Sequence, residues 1–319
     1  MAPPRFQTAA VVASTQASAS EVVIKDDHPV PTPGDGEILV KLEFSGVCHS
    51  DLHSIRGDTP MLTDVAGHEG IGSVVQVGSG IDESLWLGTR VGISQRNAGA
   101  NTPGTFQQYI VSPALHVTKI PKQLSPDSAA PLLCAGIAMY SSIMKTKTRP
   151  GDYLVIIGAG GGLGHILTEL QRESGNKKRQ LCLSLGAFDF LDYREIDIVQ
   201  AVKAKTNFGA HAVICTANGE RAYEQSMQML RPLGTLVCVG IPSAPFKLPA
   251  TPFDMIVKGL TIVGNSAGTS DEMDELLAMA VAGDVKAHID VFGLHEINDV
   301  LDRLERSDID GRVVLRIPE

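Results

Sequence analysis

A glycine-rich stretch, GAGGGLG at positions 158–164, follows the apolar run YLVII and most constrains what this chain can fold into. A glycine turn between a buried strand and a helix is typical of a dinucleotide-binding unit, because bare amides and the helix N-terminus favour a pyrophosphate. After this turn, apolar strands alternate with helical segments; the predicted strands are YLVIIG, AFDFLDY, HAVICTA, GTLVCVG and LTIVGN. This alternation predicts a parallel sheet covered by helices.

The 319 residues are more than one compact core normally holds, so two domains are predicted. Residues 1–150 form the first domain and contain β-rich segments such as EILVKLEFSGVC and EGIGSVVQVGSG. Residues 151–287 form the second. The tail, 288–319, has a strand, helix, strand pattern and is expected to return to the first domain.

Composition excludes several classes of protein. The chain has 27 basic and 36 acidic residues and no basic block, so nucleic acid is not an expected partner. No apolar run reaches the roughly 18 residues of a membrane span. The N-terminus lacks the pattern of a secretory signal and predicts an edge strand, although its shortage of acids also fits a transit peptide. Five scattered cysteines favour a reducing, cytoplasmic location: Cys48, Cys134, Cys182, Cys215 and Cys238.

Two short segments, GVCHSDLH and GHEGIG, contain residue types that bind zinc. Cys48 and His68 are suitable ligands, and Cys134 in PLLCAGIAMY is a third candidate. A catalytic zinc takes three protein ligands and keeps one position open. Taken alone, the same residues are equally compatible with a buried cysteine and a hydrogen-bonded histidine.

Ser50 and His53 follow Cys48 closely and are candidates for a proton relay. A hydroxyl beside a metal can take the proton of an alcohol, and a histidine can pass that proton to water. Asp51 is a natural hydrogen-bond acceptor for a ligand histidine. The alternative is that Ser50 is a turn hydroxyl and His53 a surface residue.

The motifs GVCHSDLH, GHEG, GTFQQY, LLCAGI, GAGGGLG and GRVVL occur in this order. Together they resemble the zinc-dependent alcohol dehydrogenases of the medium-chain dehydrogenase/reductase superfamily, above all the yeast and bacterial type, over nearly the whole chain. The resemblance implies an α/β fold: a GroES-like, β-rich catalytic domain and a Rossmann-like, doubly wound parallel sheet.

The resemblance also implies roles for individual residues. Ser50 and His53 match the proton relay, and Glu69 matches an acid that can exchange onto the metal. The implied ligands of one catalytic zinc are Cys48, His68 and Cys134. The implied contacts to NAD or NADP are the pyrophosphate turn, two residues beside the nicotinamide and one arginine from the tail: Gly158, Gly160, Gly161, Gly162, Leu163, Gly164, Val239, Gly240 and Arg312.

Two departures from the family affect assembly and substrate. Members usually carry a lobe with four cysteines where this chain has only QRNAGANTP, so a structural zinc is excluded and the usual tetramer is doubtful. A homodimer is the expected assembly. Thr59 and Ser94 stand where small-alcohol members have bulky aromatics. Either the pocket is wider and accepts larger or secondary alcohols, or neighbouring side chains fill it.

A third departure lies in the nucleotide domain. The family has a short apolar strand ending in Asp after the first helix, whereas this chain has only Asn176–Gln180. The second strand and its ribose-binding acid are therefore expected to be deleted. Five extended residues span at most roughly 17 Å, barely enough to cross the sheet.

Several segments offer a replacement for the lost strand. Leucine occupies every second position of QLCLSL, so this stretch fits a substitute strand. Glu173 is a candidate for the lost acid. The basic run at 177–179 either attracts the 2′-phosphate of NADP or is a solvated turn. A truncated or mis-spliced product of a working gene is the remaining alternative.

The function hypothesis is a zinc-dependent oxidoreductase that interconverts alcohols and aldehydes or ketones by hydride transfer with NAD(P), impaired in cofactor binding. One alternative keeps the zinc without the redox step, as in a lyase, isomerase or hydrolase. The other is a non-catalytic paralogue. A small-molecule alcohol or carbonyl compound is the expected partner.

Overall fold

The computed structural model of the chain describes residues 2–13, 21–93, 98–158, 163, 188–242, 246–306 and 308–319. The chain divides into two compact units. Unit 1 comprises Met1–Cys134 and Ala287–Glu319, and unit 2 comprises Ala135–Lys286. Within the described ranges, no helix is both long and apolar enough to cross a lipid bilayer.

The described strands, in chain order, are β1 (Phe6–Val12), β2 (Val22–Pro29), β3 (Glu37–Val47), β4 (Glu69–Val77), β5 (Arg90–Ile93), β6 (Tyr109–Pro113), β7 (Val117–Lys119), β8 (Leu154–Ile157), β9 (Ala210–Cys215), β10 (Leu230–Cys238), β11 (Thr261–Gly264), β12 (Ile289–Gly293) and β13 (Arg312–Arg316). The described α-helices are α1 (His49–Ile55), α2 (Glu83–Trp86), α3 (Pro126–Ala129), α4 (Ala135–Thr146), α5 (Ile198–Thr206), α6 (Glu220–Met229), α7 (Pro252–Lys258), α8 (Ser270–Ala282) and α9 (Ile297–Glu305). Short 3₁₀ turns cover Ala114–His116, Ala130–Leu133 and Leu294–Glu296.

Unit 1 is built on a seven-stranded sheet in the order β12-β13-β3-β4-β5-β7, with β6 also paired to β3. The pairs are antiparallel except for β12 and β13, which run parallel. β3 is the central strand, and its residues Ile38, Val40 and Leu42 are fully buried in the core. Because the tail supplies β12 and β13, the last segment of the chain completes the sheet that the first segment begins.

The N-terminal segment forms the strand that its sequence predicts, but β1 is not an edge strand, because on the side opposite β2 the Ala10 and Val12 amides donate to the carbonyl groups of Phe106 and Asp64. β1 pairs antiparallel with β2 in a separate two-stranded sheet. Ala9, Ala10 and Val11 on β1 are buried in the core of unit 1.

Unit 2 contains a parallel sheet in the order β11-β10-β9-β8. Ala138 and Met139 of α4 pack with Ile156, Ile214 and Val237 of the strands. A separate apolar cluster joins the strands to α5 and α6; it includes Val199, Tyr223, Met227 and Leu236. Helices therefore pack against the sheet in two separate cores, and the predicted α/β class, with a β-rich domain and a parallel sheet, is confirmed.

The division between the units differs from the predicted boundary at residue 150. α4 belongs to unit 2 because its apolar residues pack on the parallel sheet. In the sequence, the alternation of apolar strands with helical segments begins only at YLVIIG. This pattern indicates the first strand of unit 2 but not α4, the helix that precedes it.

The predicted strand AFDFLDY is wrong for its described part. Residues 188–193 form no regular secondary structure beyond a bend at the first and a turn at the last, and no described residue pairs with β8 except those of β9. A complete doubly wound sheet has the strand order 3-2-1-4-5-6. The third strand along the chain therefore joins the sheet only by pairing with the second strand. The described strands correspond to the order 1-4-5-6, and AFDFLDY has no described second strand to pair with.

Candidate active site

Four ligand-type side chains meet in unit 1: Cys48, His68, Glu69 and Cys134. One ligand atom from each lies within 4.8 Å of all the others. Cys48 and Glu69 are buried, while His68 and Cys134 are partly exposed. The structure therefore brings together the three residues expected to bind zinc and the acid expected to exchange onto it.

Local structure positions each member of this cluster. Cys48 follows the last residue of β3 and precedes α1, and Glu69 begins β4. Antiparallel pairing sets Glu69 opposite Gly46, which brings these two chain segments side by side. Cys134 follows the 3₁₀ turn Ala130–Leu133.

Gly46 leaves the space that the Glu69 carboxyl group occupies. A Cβ atom built at position 46 would lie 2.0 Å from Glu69 Oε2, far inside any real contact. A larger residue at position 46 would therefore displace the acid from the cluster.

Asp51 orients two members of the cluster at once. One carboxylate oxygen lies 2.7 Å from His68 Nδ1, and the other accepts a hydrogen bond of 2.9 Å from the Cys48 amide. Asp51 is buried, at 3% exposure. The contact predicted between Asp51 and the ligand histidine is thus present, and it leaves His68 Nε2 directed at the cluster.

Arg312, from β13, is the one basic side chain whose charge is buried beside the cluster in the described part of unit 1. It is 4% exposed, and its Nη2 donates a hydrogen bond to Glu69 Oε1. The neighbouring β13–β3 pairing sets Val314 opposite Gly46. The structure thus shows a contact of Arg312 that the sequence does not predict, while its contact with a pyrophosphate stays a prediction.

The two thiols influence each other's ionisation. The Cys134 thiol donates a hydrogen bond to Cys48, which lowers the pKa of Cys48 well below its ordinary value although burial opposes this. The same hydrogen bond raises the pKa of Cys134, and burial adds to that shift. The first thiol proton is therefore lost easily and the second is retained, unless a cation compensates the second negative charge.

The pKa values of the remaining two members, His68 and Glu69, are both raised, for different reasons. Burial disfavours the charged form of His68, but the Asp51 carboxylate and the neighbouring Cys48 together hold the pKa of His68 well above its ordinary value. Burial raises the pKa of Glu69 to about 7, although Arg312 pulls in the other direction. Both groups therefore retain protons that a bound cation would displace.

This donor set fits a zinc ion. Two sulfur atoms and an imidazole nitrogen are ligands that zinc prefers, and three protein ligands are the usual number at a catalytic site. Glu69 Oε2 is buried and has no hydrogen-bond partner in the described part of the chain. A buried carboxylate oxygen without a partner is costly, and a cation beside it would remove that cost.

The two relay candidates lie on α1, next to the cluster. Ser50 Oγ is 3.4 Å from Cys48 Sγ. Ser50 and His53 are three positions apart on a helix, so they lie on the same face. Ser50 is exposed and His53 is partly buried. Their roles as a relay stay a prediction, since proximity alone does not test proton transfer.

Sequence reasoning missed Asp58, whose Oδ2 lies 2.8 Å from His53 Nδ1. Thr59, named for its effect on pocket size, is exposed and contacts Ser54 through its hydroxyl at 3.0 Å. A glycine followed by an acid at the end of α1 is a local signal from which the Asp58 contact follows.

Unit 2 presents the described cofactor candidates at the carboxyl ends of its strands. Gly158 follows β8, and Val239 and Gly240 follow β10. The amides of Val239 and Gly240 both donate to the carbonyl oxygen of Cys215 at the end of β9, at 3.0 and 2.9 Å. In open α/β sheets this edge is where nucleotides bind.

Several candidates fall outside the described residues. They are Gly160, Gly161, Gly162, Gly164, Ser94, Glu173, Cys182, the basic run 177–179 and the stretch QLCLSL. Leu163 is described and packs near the cluster that includes Ile156. The expected deletion of the second strand lies in the same undescribed stretch, so it stays a prediction.

Comparisons with known proteins match both units. The profile of the family described as "Alcohol dehydrogenase GroES-like domain" matches residues 34–122, and that described as "Zinc-binding dehydrogenase" matches residues 172–282. An alcohol dehydrogenase from Moraxella sp. (strain TAE123) is 36% identical, with 91% of this chain and 94% of the relative covered. That alignment has 324 positions, more than the 319 residues of the whole chain. The chain therefore lacks residues that this relative has.

Two solved structures are similar over almost the whole chain. An acetophenone reductase from Geotrichum candidum in complex with NAD has a TM-score of 0.87 and 25% identity, with 99% of this chain and 98% of that chain covered. An alcohol dehydrogenase from Aeropyrum pernix has a TM-score of 0.86 and 28% identity, with 98% and 100% covered.

The buried contact between Arg312 and Glu69 leads to a stability prediction. Arg312→Met removes the positive charge and leaves a buried carboxylate without its partner. In chelator-treated protein at pH 8, we expect the free energy of unfolding to fall by about 3–5 kcal/mol, the usual cost of breaking a buried ion pair. Urea denaturation followed by circular dichroism measures this change.

Arg316→Met on the same strand is the matched control, because Arg316 is exposed. It should cost about 1 kcal/mol or less. The double variant Arg312→Met/Glu69→Gln should recover part of the loss, because it removes the unpaired charge. A single Arg312→Met variant as stable as the control would show that the Arg312–Glu69 pair does not contribute to the stability of the fold.

Proposed function

Because the chain belongs to the zinc-binding alcohol dehydrogenase family, we propose that it catalyses the interconversion of alcohols and aldehydes or ketones with NAD or NADP. The observation that carries the proposal is the cluster of Cys48, His68, Glu69 and Cys134, whose ligand atoms lie within 4.8 Å of one another. The described glycine and strand ends of unit 2 support the cofactor half of the proposal.

Cys48, His68 and Cys134 would hold one zinc ion. The zinc supplies a Lewis acid that polarises the substrate oxygen and favours loss of the alcohol proton near neutral pH. Asp51 keeps the His68 ring oriented through the 2.7 Å contact to Nδ1. Glu69 and Arg312 form a buried charge pair beside these residues, and the second carboxylate oxygen of Glu69, which has no hydrogen-bond partner in the described part of the chain, would be available to the metal.

Ser50 and His53 would move the proton. Ser50 Oγ, beside Cys48, takes the proton of the substrate hydroxyl group and passes it on along the same face of α1. His53 accepts it and releases it to water. Nicotinamide supplies the hydride acceptor in oxidation and the hydride donor in reduction. Val239 and Gly240 would border the nicotinamide, and Gly158 would lie in the turn under the pyrophosphate.

Assembly and location complete the proposal. Within the described part of the chain, α7 buries none of its residues and exposes Phe253, Ile256 and Val257 on one helical face. An apolar face of this kind supports the proposed homodimer. Four described cysteines are free thiols, which fits a cytoplasmic location.

One zinc per chain is the first expected outcome. Elemental analysis of protein purified without added metal should give a ratio near one, since three ligands survive and the four-cysteine lobe is absent. Cys48→Ser and Cys134→Ser should abolish the bound metal. Cys215→Ser is the control, because Cys215 is buried in the strand core of unit 2. A ratio near two, or near zero, would contradict the proposed site.

Ser50→Ala should lower kcat for alcohol oxidation by about 10² or more, the usual contribution of a positioned proton-transfer group. Zinc content should not change, because Ser50 is not a ligand. His53→Gln should do less, since water substitutes for an exposed relay. Steady-state kinetics on the zinc-loaded protein checks this, and equal activity of wild type and Ser50→Ala would refute the relay.

NADH should bind weakly. Losing two hydrogen bonds from a carboxylate to the ribose removes roughly 3–5 kcal/mol, or a factor of about 10²–10³. Starting from about 1–10 μM for an intact site, the expected dissociation constant is on the order of 1 mM, with poor discrimination between NAD and NADP. Nicotinamide fluorescence measures it.

Further outcomes of this titration distinguish the alternatives. Inserting a short apolar strand that ends in Asp after Gly175 should restore affinity. Low-micromolar binding by the chain as it stands would mean that QLCLSL or Glu173 rebuilds the site. Bound zinc with no NAD(P) binding at any concentration would instead favour a lyase, isomerase or hydrolase, and absence of both would favour a non-catalytic paralogue.

A further inference from the structure

Asp58 makes a short contact with the relay histidine. Its Oδ2 lies 2.8 Å from His53 Nδ1, and the Asp58 side chain is 62% exposed while that of His53 is 23% exposed. A pair this open to water adds little to the stability of the fold. The main effect of the Asp58–His53 pair is therefore expected to be on the orientation of the His53 ring.

The backbone at the end of α1 determines where Asp58 lies. α1 ends at the cap residue Arg56, and Gly57 follows with φ at 83°. The Gly57 amide donates to the Ser54 carbonyl at 3.2 Å, and the Asp58 amide donates to the His53 carbonyl at 2.8 Å. These two bonds form the Schellman motif, which needs a left-handed residue and so favours glycine. The motif returns the chain to His53 and places residue 58 beside it.

The charged groups around His53 leave Asp58 as its carboxylate partner. Arg56 is already engaged by Asp302 and Glu305, each at 3.0 Å. The His49 ring lies 6.5 Å from the His53 ring between centroids, in a tilted arrangement. In the described part of the chain, no second hydrogen bond to the His53 ring is present.

We propose that Asp58 is a positioning residue of the proton relay, which holds the proton of neutral His53 on Nδ1 and leaves Nε2 as the base. This inference rests on the proposed dehydrogenase function. An ionised carboxylate only accepts hydrogen bonds, so a contact of 2.8 Å to Nδ1 requires a proton on that nitrogen. A neutral imidazole carries one N–H, and its other nitrogen must then be the acceptor.

The proton balance follows from this arrangement. In alcohol oxidation the O–H proton passes through Ser50 to Nε2 of His53, while the hydride leaves the substrate carbon for the nicotinamide. His53 is then an imidazolium with both nitrogens protonated, and the Asp58 carboxylate faces its positive charge. Release of the Nε2 proton to water restores the starting tautomer. Asp58 itself neither gains nor loses a proton.

A second aspartate, Asp51 on α1 itself, contacts a histidine in the same way. Asp51 contacts His68 at Nδ1, at 2.7 Å, and thereby leaves Nε2 for the metal cluster. α1 and the turn after it therefore supply a carboxylate to the Nδ1 atom of two histidines. One histidine would serve as a ligand and the other as a base.

Asp58→Asn tests the inference by removing the charge at nearly constant shape. In zinc-loaded protein, kcat for alcohol oxidation should fall about as much as in His53→Gln, on the order of tenfold, with KM changed less than about twofold. Added to His53→Gln, the same substitution should change kcat less than about twofold, because the two residues act as one unit. Asp58→Glu should recover part of the rate.

Asp302→Asn is the matched control. Its carboxylate is exposed to a similar degree, at 58%, and pairs with Arg56 of the same helix end. It should leave kcat unchanged. Equal losses from Asp58→Asn in the wild-type and His53→Gln backgrounds would overturn the inference.

The tautomer of His53 gives a readout that does not depend on activity. Long-range ¹H–¹⁵N correlation spectra of the full-length protein distinguish a protonated from an unprotonated ring nitrogen. Neutral His53 should carry its proton on Nδ1 in the wild type and lose this preference in Asp58→Asn. A proton on Nε2 in the wild type would overturn the inference. A wild type with the Nδ1 tautomer but no dehydrogenase activity would refute the proposed function and leave the Asp58–His53 pair intact.

Discussion

Burial of Glu69 between Arg312 and the ligand-type side chains of the cluster is the constraint on which the site in unit 1 depends. A carboxylate with no exposed surface is stable only with a compensating charge, and here the charge comes from β13, more than two hundred residues further along the chain. Gly46 on β3 makes room for the carboxyl group, and antiparallel pairing aligns β3 with both β4 and β13. The pairing register of β3, β4 and β13 therefore also determines where the side chains of the cluster lie. The return of the tail to the first unit follows from it.

The two units differ in how much of the expected site the structure describes. In unit 1 the four ligand-type side chains lie within 4.8 Å of one another, Asp51 contacts His68, and Ser50 lies beside Cys48. In unit 2 the described sheet has four strands, with β8 at its end, and the segment that should form a further strand is irregular. The proposed zinc chemistry and the proposed nucleotide binding rest on different residues of the two units. A slow, weakly saturated dehydrogenase fits both observations.

Much of the fold follows from local sequence. EILVKLEFSGVC, HAVICTA and GTLVCVG all form strands, because each is apolar and bounded by turn residues. AFDFLDY is similarly apolar, but its described part forms no strand, since a strand also needs a neighbour to pair with. The metal cluster was predictable through the ordered motifs, and the Asp51–His68 contact through ligand chemistry. The Arg312 contact was not predictable, because it depends on the register of distant strands. The Asp58 contact has a local signal in the glycine and acid at the end of α1, but only the capping turn shows which residue the acid meets.

The central claim is that the metal half of the site survives while the adenosine half of the cofactor has lost its contacts. Comparing the affinities of NADH and of reduced nicotinamide mononucleotide for the zinc-loaded protein tests this most directly, because the two ligands differ by the adenosine phosphate moiety. If the claim holds, NADH binds less than about tenfold more tightly than the mononucleotide, a difference of about 1.4 kcal/mol. If NADH binds 10³-fold or more tightly, or about 4 kcal/mol, the adenosine pocket is intact and the account is contradicted.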